Sequence, residues 1–147
     1  MLALTLWPEW AWAICHAGKR VENRAWHPGK RLPVGSRLAI HAGKHIGGRP
    51  GQTARDEGLD ALFDMGFGSL SFGWEPEVVA CPRSAIVAVA TVEGFDQEQR
   101  TQWDVPGCWH WRLSGVLVLA EPVACRGAQG LWTAHPTTIG DSPGTST

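Results

Sequence analysis

The sequence has no tyrosine, few charged residues and no long apolar run. Of its 147 residues, 18% are charged and 44% are hydrophobic, which is the apolar content of a globular domain with somewhat less charge than usual. No stretch approaches the roughly 18 apolar residues of a membrane span. No basic leader precedes the first apolar stretch, and Trp7-Pro8-Glu9 interrupts it, so a signal peptide is not expected. We therefore expect one cytoplasmic domain with no membrane partner.

Metal and cofactor motifs are missing as well. The four cysteines, Cys15, Cys81, Cys108 and Cys125, are too scattered to form a CxxC pair. We expect free thiols in a reducing compartment, with a disulfide framework or a zinc site as the alternative. The motifs GxSxG and HExxH and the Walker loop are absent. The sequence therefore predicts neither a cofactor nor a metal.

Tryptophan is the abundant aromatic residue, with nine copies against four phenylalanines. Most of the indoles are expected in the core, where each buries a large area and needs one partner for its N–H. Two or three of them, with Trp10 and Trp26 as the candidates, are expected to border a pocket and to stack on a base.

Apolar patterning predicts a small α+β fold that is mainly β. The predicted strands cover residues 2–6, 21–26, 37–41, 85–92, 109–113 and 116–120, and a last turn and strand covers 123–132. Helices are predicted at 9–16 and 53–65, followed by an irregular glycine-rich segment at 66–77. The sequence LSG at 113–115 is typical of a tight turn between paired strands. Residues 134–147 have the composition of a flexible tail.

Charge is distributed unevenly along a chain whose formal net charge is −1. Between residues 16 and 49, eight basic residues stand against the single acid Glu22, whereas between 50 and 104 ten acids stand against three arginines. We do not expect the net charge of the whole molecule to drive nucleic-acid binding. One interpretation of the basic segment is a local cationic patch for phosphate, and the other is ordinary solvated surface charge.

Five segments occur in an order that resembles the ASCH family, a branch of the PUA-like folds. They are LTLWPEWAWAI, GKRVENRAW, RLAIHAGK, AIVAVATVEGF and PVACRGAQGLW, and the resemblance runs over about residues 2–132. It implies a small PUA-like β-barrel with one or two flanking helices over residues 1–133. It also implies a cleft lined by residues 18–24 beside the first helix, with RNA or a modified base as the ligand.

Lys19, Glu22 and Arg24 match the family pattern of lysine, two residues, glutamate, one residue and arginine. One branch with a similar fold is an acetylcytidine amidohydrolase that uses lysine, threonine and glutamate. Its threonine corresponds to Glu22, so the resemblance implies that the nucleophile of that reaction is missing here.

The chain departs from the family at two further points. The catalytic glutamate of the amidohydrolase branch has no matching motif, and its candidates are Glu75, Glu77 and Glu93. The motif WPEW stands where many members have arginine, glutamine, proline and an aromatic residue. The polar contact of that glutamine is therefore in doubt.

The chemistry of the motif residues allows two roles for each. Lys19 follows a predicted helix end, where it can hold a phosphate or carbonyl oxygen, or act as a base if burial removes its water. Its alternative role is a surface lysine favoured by the helix dipole. Glu22 and Arg24 share one face of the predicted strand. They either recognise a base edge, with Glu22 also available as a general base, or form only an ion pair between neighbours.

Three further residues are candidates for phosphate contacts. His41 and Lys44 end the third predicted strand, and Arg126 precedes a glycine whose backbone amides suit an anion. The alternative for each is an ordinary surface or turn position.

The first hypothesis is a binding module whose basic, Trp-bordered cleft takes single-stranded RNA, a nucleotide or a nucleoside. The alternative is a small metal-independent hydrolase that acts on a modified nucleoside or on RNA, with Lys19 and Glu22 as the catalytic residues. A third, weaker hypothesis is a domain that binds a protein partner. A closed pocket of nucleoside size favours the enzyme, and an open basic groove favours a polymer.

Overall fold

Most of the strands and the helix coincide with apolar segments of the chain. The computed structural model describes residues 1–48, 61–62, 64–67 and 81–135. The elements are β1 (Leu2–Leu6), α1 (Pro8–His16), β2 (Val21–Arg24), β3 (Arg37–Ala42), β4 (Ala85–Asp96), β5 (Trp109–Ala124) and β6 (Leu131–Thr133), with 3₁₀ turns at Gly29–Arg31 and Ile46–Gly48. The prediction of a mainly β fold with a flanking helix is confirmed, and the predicted strands at 2–6, 21–26, 37–41 and 85–92 correspond to β1 to β4.

The six strands form one curled sheet, a half-barrel, in the order β2-β5-β4-β3-β1-β6. β1 runs parallel to β3, and the other neighbours are antiparallel. A parallel pair needs a long connection, which here contains α1 and β2. The curl is large enough that Arg24 of β2 donates to the carbonyl of Thr5 in β1 at 3.1 Å, although three strands separate β2 from β1 in the sheet.

Residues 109–120 form part of one strand, so the prediction of two strands joined by a turn at 113–115 is wrong. β5 continues for 16 residues along β4. Its pairing with β4 shifts register between Val89 and Thr91. Gly115 has a φ of 52°, the left-handed conformation that a bulge often needs. The glycine therefore bends a continuous strand instead of closing a hairpin.

The largest core cluster joins α1 to the sheet. Ile14 of α1, Ile40 of β3 and Trp111 of β5 are fully buried in it. Fully burying an aliphatic side chain of this size contributes about 1.5–3 kcal/mol. These contacts hold the end of α1 against the sheet, which fixes the starting point of β2.

Some predicted segments lie mostly outside the described residues. The predicted helix at 53–65 is described only at 61–62 and 64–65, where 61, 62 and 64 are helical. The glycine-rich segment at 66–77 is described only at 66 and 67, and the tail at 134–147 only at its first two residues. Ala134 is buried, and its N–H donates to the carbonyl of Met1 at 2.8 Å. Within the described ranges, no helix has the length and apolarity that a bilayer crossing requires.

Candidate functional site

Lys19, Glu22 and Arg24 come together in one cleft, which is the arrangement that the resemblance to the ASCH family implies. A cavity of about 530 Å³, here called the inner cleft, has these three side chains and Trp10 of α1 in its wall. Its volume lies within the range of about 300–1,000 Å³ that is usual for small-molecule pockets. Trp103, in the loop between β4 and β5, is a further aromatic part of the wall.

The end of α1 directs the Lys19 side chain into the fold. Gly18 adopts a φ of 75°, the left-handed conformation with which many helices end. The Lys19 N–H then donates to the carbonyl of Ala13 at 3.2 Å. The ammonium donates to the carbonyl of Val21 at 2.6 Å and lies 5.4 Å from the centre of the Trp10 ring. With 3% of the residue exposed, Lys19 is not the solvated lysine of a surface helix end.

Burial lowers the pKa of Lys19 from its ordinary value, because the charged ammonium loses its water. Glu22 opposes this shift, since its Oε1 lies 3.5 Å from the Lys19 nitrogen. Arg24, a second cation nearby, adds to the lowering. The net direction is downward, so Lys19 releases its proton more readily than a surface lysine does.

Glu22 is a buried carboxylate that contacts two cations. Its Oε1 faces Lys19, and its Oε2 accepts from Arg24 Nε at 3.0 Å and lies 2.9 Å from Arg24 Nη2. The Glu22 residue is 6% exposed, whereas the Arg24 side chain is 25% exposed. The inner cleft therefore contains two cations against one carboxylate, and its more accessible cation is Arg24.

The loop that carries Trp103 is fastened to the sheet from two sides. Asp104 accepts from Arg112 Nη1 at 2.8 Å and from the backbone N–H of Arg100 at 2.7 Å. Burial raises the pKa of Asp104, but these donors outweigh it and hold that pKa well below its usual range. On the other side, the amide of Asn23 donates to the carbonyl of Trp103 at 2.9 Å. Asn23 thus has a structural role, because it connects this loop to β2.

His41, Lys44 and Arg126 lie in a different cavity, of about 730 Å³, here called the outer cavity. His41 is 2% exposed, and both of its ring nitrogens have partners inside the fold. Its Nε2 is 2.8 Å from the carbonyl of Cys125, which can only accept, so Nε2 donates and Nδ1 accepts from the hydroxyl of Thr5 at 3.1 Å. Burial lowers the pKa of His41, more than the Cys125 carbonyl raises it. A phosphate at His41 would have to displace these hydrogen bonds. Lys44 and Arg126 are exposed, so a phosphate could reach them without displacing such bonds.

Trp26 does not line the inner cleft. It is 38% exposed and stands edge-on against Trp111, with ring centres 5.0 Å apart. It borders a third cavity, of about 570 Å³, here called the middle cavity. The middle cavity shares Trp7 and Arg24 with the inner cleft and shares Lys44 with the outer cavity. The predicted site residues therefore lie on three adjoining cavities.

Two wall residues, Trp7 and Trp103, were not singled out from the sequence. Trp7 is 40% exposed, and its indole lies so close to Gly48 that a side chain at that position would collide with it. The departure of the motif WPEW from the family pattern was the one signal that pointed to Trp7. Glu9 of the same motif is buried and accepts from the N–H of Gly47 at 3.0 Å. A polar contact is thus made at this point of the fold by a glutamate.

The remaining expectations concern catalytic carboxylates and metals. Glu93 is exposed on β4 and is not part of the inner cleft, while residues 75 and 77 lie outside the described residues. All four cysteines are free thiols and are half-buried. Within the described part of the chain, no three His, Cys, Asp or Glu side chains are grouped so as to hold a metal ion.

The fold has counterparts among solved structures. No protein-family model matches the chain, and no curated protein sequence matches it. The structure of a point mutant of the ZmASCH protein from Zymomonas mobilis aligns over 95% of this chain and 93% of that chain, with 16% identity and a TM-score of 0.54. A structure of ASCH from the same organism aligns over 95% of this chain and 90% of that chain, with 15% identity and a TM-score of 0.50. At these identities the likeness is one of fold, and this chain has the fold of an ASCH domain.

Proposed function

We propose that this chain is a binding domain of the ASCH family, and that its inner cleft takes a nucleotide, either free or as one unit of a single-stranded RNA. The observation that carries the proposal is the cluster of Lys19, Glu22 and Arg24 beside the ring of Trp10. Bases stack on aromatic side chains, and arginine and lysine bind phosphate oxygens. The cleft offers both kinds of contact within one cavity of suitable volume.

The electrostatics of the inner cleft favour an anion. Two cations face one carboxylate, and charges act more strongly in a partly desolvated cleft than in water. Glu22 keeps a further acceptor site, because the contact of its Oε1 with Lys19 is long at 3.5 Å. That oxygen is suited to accept a hydrogen bond from the amino group of a base.

The test is a fluorescence titration with cytidine 5′-monophosphate and with a five-nucleotide single-stranded RNA. We expect weak, salt-sensitive binding, with quenching of the cleft tryptophans. Arg24→Gln removes a charge-assisted contact of about 1.5–3 kcal/mol, so affinity should fall at least about tenfold. Arg37→Gln is the matched control, because Arg37 is exposed on β3 and lines none of the three cavities. The proposal fails if neither probe binds at low salt, or if the two variants lose affinity equally.

A second candidate function is hydrolysis of a modified nucleoside or of RNA. The observation that favours it is the lowered pKa of Lys19 next to a buried carboxylate, because groups with such shifts are common in active sites. However, both oxygens of Glu22 already face cations, which makes the carboxylate a weaker general base. We therefore expect binding to dominate.

Acetylcytidine distinguishes the two functions. We expect slow or no release of cytidine by the unmodified protein. A general base alone supplies only about 10²–10⁴-fold acceleration, and the loss of one oxyanion donor costs on the order of 10²–10³ in rate. Glu22→Gln and Glu22→Thr are measured in parallel. Fast turnover that disappears in Glu22→Gln would establish the enzyme, whereas activity only in Glu22→Thr would mean that the scaffold lacks just the nucleophile.

A further inference from the structure

We propose that the inner cleft, the middle cavity and the outer cavity form one groove for a single nucleic-acid strand of about three nucleotides or more. This inference rests on the proposed function of the inner cleft and extends it from one nucleotide to a strand. The inner cleft would hold one base, the middle cavity would stack the next, and the outer cavity would bind phosphate.

The three cavities adjoin one another, because each shares wall residues with the next. Thr5, at the end of β1, lines all three. Trp7 and Arg24 belong to both the inner cleft and the middle cavity. Lys44 and Gln129 belong to both the middle cavity and the outer cavity. A strand that occupies the inner cleft therefore has the middle cavity next to it at Arg24, and the outer cavity beyond that at Lys44.

The charge of the groove is opposite in sign to that of the whole chain, which is −1. Its cationic side chains are Lys19, Arg24, Lys44 and Arg126. Among the described residues that line the groove, Glu22 is the one carboxylate. Lys44 and Arg126 are exposed and have no ion pair with any other residue that the structure describes. Both are thus available to a polyanion.

Two exposed indoles lie between the cations of the inner cleft, Lys19 and Arg24, and those of the outer cavity, Lys44 and Arg126. Trp7 and Trp26 are 40% and 38% exposed, and both line the middle cavity. Trp26 is held by the edge-on ring of Trp111, whose Nε1 donates to the Trp26 carbonyl at 3.3 Å. Indole faces held in place between cations are the recurring arrangement for single strands, in which bases stack and phosphates meet lysine and arginine. An acidic peptide would use the cations but has no bases to place against the indoles.

A length series tests the groove with the intact chain. The probes are cytidine 5′-monophosphate, RNA and DNA oligomers of two, three and five cytidines, and a penta-glutamate peptide. We expect affinity to rise at least about tenfold from the mononucleotide to the pentamer in RNA or in DNA, because additional phosphates and stacked bases are engaged. The difference between the RNA and DNA arms then reports the sugar preference of the same groove.

Two sets of variants test whether the rise in affinity with oligomer length comes from contacts in the groove. Lys44→Ala with Arg126→Ala should lower the slope of log affinity against log salt by about 1.4 for the pentamer, at about 0.7 per lost phosphate contact. Trp26→Ala should weaken pentamer binding by about 5- to 100-fold, the usual cost of a lost stacking contact. The matched control is Lys30→Ala with Arg37→Ala, since both residues are exposed and neither lines the groove. Thermal melts check that each variant is folded. The side chains of Lys44 and Arg126 have no ion pair with another residue that the structure describes, so their loss should cost little stability.

The outcomes separate the two proposals. If the mononucleotide binds as tightly as the pentamer, or if the Lys44 and Arg126 variant behaves like the control, the groove is refuted while the nucleotide site stands. If no nucleotide of any length binds, the proposed function fails and the groove fails with it. If the glutamate peptide binds as tightly as the pentamer with the same salt slope, the occupant is an acidic peptide and the proposal of a nucleic-acid strand is wrong.

Discussion

Replacing Glu22 by glutamine tests whether this carboxylate is what stabilises the charge of Lys19 in the fold. The substitution preserves the shape of the side chain and removes its charge. The Lys19 side chain is 4% exposed and that of Glu22 is 8% exposed, so water cannot take the place of the lost counter-ion. Removing one partner of a buried ion pair costs about 3–5 kcal/mol. Because Oε1 and the ammonium are 3.5 Å apart, we expect the lower value, about 3 kcal/mol at neutral pH.

The pH dependence of this deficit gives an independent check. Burial lowers the pKa of folded Lys19, and loss of Glu22 lowers that pKa further. The unfolded chain keeps the ordinary lysine pKa, so between the two values the unfolded state binds more protons and stability rises with pH. This rise is steeper in Glu22→Gln than in the unmodified protein. The deficit of the variant is therefore larger at pH 7 than at pH 9.5.

The assay is urea unfolding at pH 7 and pH 9.5, followed by tryptophan fluorescence. Glu98→Gln is the matched control, because its carboxylate also pairs with an arginine but is 68% exposed. We expect that control to cost less than about 1 kcal/mol. The variant Lys19→Met with Glu22→Gln should recover part of the loss, since the buried charge of Lys19 is then removed together with its counter-ion. The recovery stays partial because Arg24, which also loses Glu22, keeps its charge at a side chain that is 25% exposed. The reasoning is refuted if Glu22→Gln costs no more than Glu98→Gln, or if its deficit is the same at both pH values.

Two other substitutions probe the walls of the groove. Asp104→Asn should destabilise the protein by about 1.5–3 kcal/mol, because it removes a charge-assisted bond from Arg112 to a side chain that is 0% exposed, while Arg112 keeps its pair with Asp96. The folded pKa of Asp104 lies below its unfolded value, so its contribution to stability is present at neutral pH and is lost as the pH falls below about 4. The variant should therefore lose less stability than the unmodified protein between pH 4 and pH 2. An equal loss of the two proteins in acid unfolding would contradict this. Gly127→Ala should cost about 1–3 kcal/mol, because its Cβ would meet the Thr5 hydroxyl and the His41 ring. A melting temperature unchanged in Gly127→Ala would show that this contact is not close.

The strands were predictable where a short apolar segment decides the structure. β1, β3 and the start of β4 are rich in apolar residues that are almost wholly buried, and few competing signals interrupt them. β5 was predicted as two strands because a glycine after serine at 114–115 looks the same in a turn and in a bulge. The partner strand decides between them, since β4 is long enough, at 12 residues, to pair on both sides of the bend.

The site was predictable only where it is local in sequence. Lys19, Glu22 and Arg24 lie within six residues, so a short motif brings them to one place. Trp103 reaches the same cleft through a hydrogen bond to Asn23, 80 residues away in sequence. No local pattern contains that contact, because it depends on the pairing of β2 with β5, which follows the loop that carries Trp103.

His41 was predicted to bind phosphate, a role that the structure does not test. Its contacts with Thr5 and Cys125 are separated from it by 36 and 84 residues, and they engage both ring nitrogens. The sequence predicts that His41 ends a strand. It does not predict that Thr5 and Cys125 are hydrogen-bonded to the two nitrogens of its imidazole.

A crystal structure of the protein soaked with cytidine 5′-monophosphate shows whether the inner cleft is the nucleotide site. We expect the nucleotide in the inner cleft, with its base against the ring of Trp10 or Trp103 and its phosphate on Arg24. Density for the nucleotide only outside this cleft, at a concentration that saturates binding in solution, would contradict it.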